Sequence, residues 1–330
     1  MTRWACACSQ STRVRRRKLA ADAAIQYQAR LSETWSSMHR REGGARIWSC
    51  LSLLLASALV ACGAGTRRTA DPAPAPPSLS ELERLRGRAE ADWAARGDAG
   101  ALARAIEGWR QVAELDPARR EALVRLAQAQ YFLGSTLQVV DAEAAEQAAR
   151  AFADGTQAAE QALDARTDPA WLQGDPVASQ KALTRALYWR ALNLHAWANR
   201  RDYLAVVTTQ DELRDALTAC LNADPDYDHA GPDRYLGAFY ARPPVFAERD
   251  LARANAHFQR ALLRAPDFLP TRIAIAEQLA VATQSRDLFE SALRRVLEAD
   301  PDAAPELAPE NRLAKTRALD LLYRADEFFE

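Results

Sequence analysis

The chain has little of what most chemistries require. Its four histidines are scattered, and three of them stand far apart at His195, His229 and His257. There is no Gly-rich phosphate loop, no Gly-x-Ser-x-Gly elbow and no Cys-x-x-Cys pair. Those absences remove the common signatures of nucleotide binding, serine hydrolysis and thiol redox chemistry. Cys6 and Cys8 lack a second ligand pair, so zinc is not read there. The sequence therefore reads as a non-enzyme, with no cofactor and no metal site. Period-two alternation is also scarce, which argues against a sheet.

Cysteine is sparse too, and its positions are informative. Of five cysteines, four lie in the first 62 residues, and Cys220 stands alone after them. No disulfide framework can be drawn from that distribution. Cys220 falls on a small, buried repeat position and reads as inert.

What is present begins with a second start. Residues 1–37 contain Arg15-Arg16-Arg17-Lys18 and no sustained hydrophobic period; they read as a mis-assigned start or a disordered leader. Met38 then opens a basic stretch, followed by the apolar run Ile47–Ala61. That run is short of the roughly 20 residues a membrane span needs. Residues 38–61 match a secretory signal, with a basic region, an apolar region and small residues before a break. The break, Leu59-Val60-Ala61-Cys62, resembles the lipobox of bacterial lipoproteins, which implies lipidation at Cys62 and anchoring by several acyl chains. Gly63, where that family's sorting pattern would carry aspartate for inner-membrane retention, points to a periplasmic protein held on the outer membrane. Residues 62–79, rich in Pro and Ala, read as a semi-rigid tether.

Charge divides at the same place. Residues 1–61 carry ten Arg/Lys against three Asp/Glu, a balance of +7. The whole chain carries −1, so the remainder carries −8. A chain this acidic lacks the basic footprint of a nucleic-acid binder.

From Ser80 to the end, apolar residues recur at three- and four-residue spacing, the mark of amphipathic helices. Ser80 to Glu83 matches a capping box and opens the first of them. Helices are predicted over 101–117, 121–133, 144–163 and 175–200. The clearest unit runs from Gly231 to Asp267. A first helix from about Pro232 to Ala241 carries Leu236, Gly237 and Tyr240; a second, from about Leu251 to Arg264, carries Ala254, Phe258 and Ala261 before Pro266. Small residues at Gly237 and Ala254 allow close approach, and the Leu-Gly-x-x-Tyr, Ala-x-x-x-Phe-x-x-Ala, Pro order is a tetratricopeptide pattern. Arg242-Pro243-Pro244-Val245-Phe246 lengthens the turn as a stiff, extended loop. Later segments end alike at Pro225, Pro266 and Pro301. The fold class is therefore all-α, a tetratricopeptide-like stack of four to five helical hairpins forming one domain over 80–330.

The 175–200 helix is aromatic. Arg185, Trp189, Asn193 and Trp197 lie four apart on one face, with Tyr188, Leu192 and His195 beside them. Such a stripe either lines a ligand groove or packs as core between repeats; both readings stand at this point. The candidate ligand or partner surface is Arg185, Tyr188, Trp189, Trp197 and Tyr240, together with Arg242, Pro243 and Pro244.

These residues carry a resemblance. Ala186-Leu-Tyr-Trp-Arg-Ala191, Leu236-Gly-Ala-Phe-Tyr-Ala-Arg-Pro-Pro244, Ala254 to Asp267, Pro309-Glu310-Asn311 and the closing Asp326-Glu-Phe-Phe329 resemble the T-component (TatT) family of TRAP-type transporter systems, over roughly Ser80 to the C-terminus. The resemblance implies a periplasmic, membrane-anchored lipoprotein that partners a substrate-binding subunit, takes part in uptake of small organic or apolar ligands and assembles as a homotrimer. It implies no residue-level binding site. The rival readings are a general outer-membrane scaffold of the assembly kind and a stand-alone carrier of an apolar ligand.

Overall fold

The computed structural model describes residues 79–116, 119–137, 141–164, 175–242 and 249–329. The expected signal, Cys62, the tether and the Pro243-Pro244 tip lie outside these residues. Among the described residues every regular element is helical, and no helix is long and apolar enough to cross a membrane.

Consecutive helices pack as hairpins. They are α1 (Leu79–Ala94) with α2 (Ala99–Leu115), α3 (Arg120–Thr136) with α4 (Ala142–Ala162), α5 (Pro176–Ala198) with α6 (Tyr203–Ala223), and α7 (Tyr227–Ala241) with α8 (Leu251–Arg264). A fifth pair joins α9 (Pro270–Ala274), prolonged by a π-helical stretch Ile275–Ala280, to α10 (Arg286–Glu298); α11 (Ala308–Tyr323) follows and packs against both α10 and α9. The all-α repeat expected from the sequence is the fold observed.

The second helix of every hairpin starts on a side-chain cap. Asp98, Asp141, Asp202, Asp250 and Ser285 each accept the backbone N–H three residues on. Each satisfies one of the amides that a helix start leaves without a partner. Of the first helices, α5 is capped too, Asp175 accepting the Val177 and Ala178 N–H groups, and α5, α9 and the later α11 carry proline in their first turn. Their missing N–H costs nothing there. Ser80 departs from expectation: α1 starts at Leu79, so Ser80 lies inside the first turn.

Close approach between partners rests on glycine at one recurring place. A Cβ on Gly134 of α3 would stand 2.8 Å from the Phe152 ring of α4, and one on Gly237 of α7 would stand 2.9 Å from the Phe258 ring of α8. Both phenylalanines are buried, and each contributes about 1.5–3 kcal/mol by leaving water. Two apolar clusters result, one spanning α1 to α7 and one α7 to α11, with Tyr240 packed against both.

The right-handed part of α7 that carries Leu236, Gly237 and Tyr240 runs on from Ala230, beside the expected start at Pro232. The element opens earlier, at Tyr227, and Asp228, His229 and Ala230 form a kink with left-handed angles, φ of 51°, 54° and 58°. Left-handed backbone costs an L-residue about 1–2 kcal/mol at each position. Arg234 offsets this by donating to the carbonyls of Asp228 (3.2 Å) and His229 (2.9 Å). The proline-bearing insert after α7 is closed at its base, where the Asp250 N–H donates to the Tyr240 carbonyl at 3.2 Å.

The stack curves until its ends touch. Arg96, just past α1, donates to both carboxylate oxygens of Glu310 in α11 and to the Glu306 carbonyl. The first helices face inward around this closed turn.

Candidate ligand pocket

The inner wall is aromatic because each first helix contributes rings. Trp93 of α1, Tyr131 and Phe132 of α3, Trp189 of α5, Tyr235 of α7 and Phe268 before α9 surround a cavity of about 350 Å³. Pro270, Ile273, Leu313 and Ala314 complete its apolar lining. The rings brace one another: Trp93 meets Phe132 at 5.8 Å between centroids, and Tyr131 meets Trp189 at 5.6 Å and Tyr235 at 6.3 Å. Tilted and edge-on pairs of this kind add stability beyond the area they bury.

Polar groups behind the rings are matched. Tyr188 O–H donates to Asp228 Oδ2 at 2.5 Å, Trp189 Nε1–H to the Tyr227 hydroxyl at 2.6 Å, and Tyr235 O–H to the Tyr131 hydroxyl at 3.0 Å. Burial pushes the Tyr131 and Tyr188 hydroxyls well above 10, so both stay protonated.

Four charged side chains line the cavity, and each is engaged within the protein. Arg234 pairs with Asp228 at 2.9 Å and lies over the rings of Phe268 (4.6 Å) and Tyr235 (5.0 Å). Burial is the strongest single influence and would favour a neutral Arg234, but Asp228, Tyr188 and Tyr235 together outweigh it and raise the pKa above its usual value. Glu310 holds Arg96, and Arg317 holds Glu277 and Asp320, each at 2.7 Å. Apart from these pairs the lining is uncharged, with Gln128, Ser135 and Thr136 its only other non-aromatic polar side chains among the described residues, which suits a largely apolar molecule.

Of the residues the sequence put forward, Trp189 alone among those described lines this cavity. Tyr188 is wholly buried behind it. Arg185 reaches away to Asp224 (2.8 Å) and over the Tyr227 ring (4.8 Å). Trp197 sits half-buried near the far end of α5 under Arg201. Tyr240 stacks on His257 at 5.5 Å with Arg253 above it at 4.1 Å. Arg242 is exposed at the end of α7, and Pro243 and Pro244 lie outside the described residues. Cys220 is buried, and burial pushes its thiol up to about 12, which keeps it protonated. Asp228, Arg234, Phe268 and Glu310 were not put forward by pattern. The available signal was local: Pro232 and Gly231 interrupting a helical period two residues before an arginine.

A closed stack of helical hairpins around one aromatic cavity defines a binding or docking protein of the repeat class. Within that class the chain belongs to the TRAP transporter T-component family, whose model matches residues 127–329, more than half of the chain. No curated protein matches it significantly. The family assigns an accessory role in TRAP-type transport.

Proposed function

We propose that this T-component receives a small apolar ligand in the aromatic cavity and docks a periplasmic substrate-binding subunit. One observation carries the reading: every charge lining the cavity is paired inside the protein, and the rest of the wall is mainly rings and aliphatic groups, with Gln128, Ser135 and Thr136 as its uncharged polar members. An organic anion would have to take Arg234 from Asp228 and leave that carboxylate unpartnered, which is strongly unfavourable when buried. A neutral, flat or branched ligand needs no such exchange. The protein is held on the periplasmic face of the outer membrane through lipidated Cys62 and works as a homotrimer. The exposed Arg242 and the loop beyond it serve the partner, because a proline-stiffened loop loses little entropy on docking.

Titration with Nile red, a neutral dye, tests the cavity. Saturable binding with quenching of Trp93 and Trp189 is expected, and Phe268→Ala should weaken it. An absence of saturable binding, or unchanged binding by Phe268→Ala, would remove the cavity from the function. Pull-down of the substrate-binding subunit by a folded Arg242→Ala variant tests docking separately; full retention would exclude the loop. Membrane fractionation of Cys62→Ser checks the anchor, and unchanged membrane association would refute it.

A further inference from the structure

A second cavity, of about 370 Å³, opens between α9, α10 and the turn leading into α11, and its walls are unlike the first. Arg272 of α9 and Arg295 of α10 both line it, along with Asp267, Glu298, Asp300 and Asn311. Most arginines of this fold that are withdrawn from water meet a carboxylate, a carbonyl or an aromatic face, as Arg96, Arg120, Arg185, Arg190 and Arg234 do. Arg272 is half-buried, and among the described residues it meets none of these; Arg295 likewise has no carboxylate within 4.0 Å. Two of the other polar groups nearby are occupied. Asn311 accepts from the Leu269 N–H at 2.9 Å and donates to the Asp267 carbonyl at 3.0 Å. Asp300 accepts the Asp302 N–H at 3.0 Å.

We infer that this cavity is a binding site for a small oxyanion, a carboxylate or a phosphate group, held between the Arg272 and Arg295 guanidiniums. Two guanidiniums sharing a partly dry cavity repel each other, and an anion between them removes that repulsion while accepting charge-assisted, bidentate hydrogen bonds. Burial and the facing Arg295 both lower the Arg272 pKa, as expected of a cation lacking a counter-charge. Asp267, Glu298 and Asp300, which share the lining, select for size and charge, because like charges facing each other across an interface disfavour the wrong partner. A ligand of one or two charges reaches the arginines; an extended polyanion meets the carboxylates first. This site is separate from the aromatic cavity and does not depend on what binds there.

Isothermal titration of the intact protein with inorganic phosphate and, separately, with succinate tests the site. Saturable binding of either, with Kd of about 1 mM or tighter, is expected, and whichever binds identifies the headgroup. Arg272→Gln and Arg295→Gln should each weaken it by roughly tenfold, while Arg294→Gln, an exposed neighbour on α10, leaves it unchanged. Arg295 is exposed, so its variant keeps the test intact if Arg272→Gln folds poorly. Three outcomes would overturn the site: no saturable binding of either anion, wild-type binding by both cavity variants, or an equal loss in Arg294→Gln.

Discussion

Arg96 and Glu310 stand 214 residues apart in sequence and form a two-pronged ion pair, Nε to Oε1 at 2.8 Å and the terminal nitrogen to Oε2 at 2.6 Å. Arg96 is 6% exposed and also lies over Trp93 at 4.6 Å. Glu310→Ala strands that guanidinium, and a loss of about 3–5 kcal/mol is expected in urea unfolding. Replacing both partners, as Arg96→Met with Glu310→Leu, should recover part of the loss. A single variant as stable as the parent would show that the pair does not hold the ring shut.

The left-handed turn makes an opposite prediction. Ala230→Gly removes a Cβ from a strained position and should raise stability by about 1 kcal/mol. Asp228→Ala, two residues earlier, leaves Arg234 buried without its carboxylate and should lower stability by about 3–5 kcal/mol. Thermal melting of both variants checks the pair, and a destabilised Ala230→Gly protein would mean the turn is not under strain.

Gly237→Leu and Gly134→Leu should each cost about 1–3 kcal/mol through overpacking. The two hairpins use the same glycine-against-phenylalanine contact, at 2.9 Å and 2.8 Å for a built Cβ. Similar losses in chemical denaturation are expected, and a neutral result at either position would show that its phenylalanine can swing aside.

Two histidines set a pH dependence. Burial lowers the pKa of His195 and His229 below the ordinary 6.5. A depressed folded value means the unfolded chain binds the proton more readily, so stability is full above pH 6.5 and falls as pH drops through the folded values. Melting temperature should therefore decline on acidifying from pH 7 to 5, and less so in a His195→Gln, His229→Gln double variant. An equal decline in both would assign it to carboxylates instead.

Helix-level organisation was legible in the sequence because it rests on local signals. Aspartate caps, prolines beyond helix ends and the Gly237, Ala254 and Phe258 spacing all act within one hairpin. The cavity was less legible because its wall is assembled from single rings on successive hairpins. Trp189 stood out by density of aromatics on its own helix, whereas Trp93, Phe132 and Phe268 look like ordinary core positions until curvature brings them together. The Asp228–Arg234 pair was hidden for another reason. A helical pattern with a proline in it predicts a start, and nothing in propensity alone announces three left-handed residues before one. Arg272 and Arg295 are unremarkable as letters; only their shared lack of a counter-ion distinguishes them.

Closure of the ring also fixes when the protein can become stable during synthesis. Most hairpins form from neighbours in the chain, so the nascent polypeptide can build the stack as it emerges. The joining contact cannot form until Glu310 has left the ribosome, long after Arg96. Non-local contacts of this span slow folding more than they destabilise the product, since closing a longer loop adds only about 0.6 kcal/mol for each doubling. Until then the ring is an open crescent whose aromatic inner wall faces water. A chain stopped short of α11 would remain in that state, and its expected fate is self-association through the surface meant for a ligand.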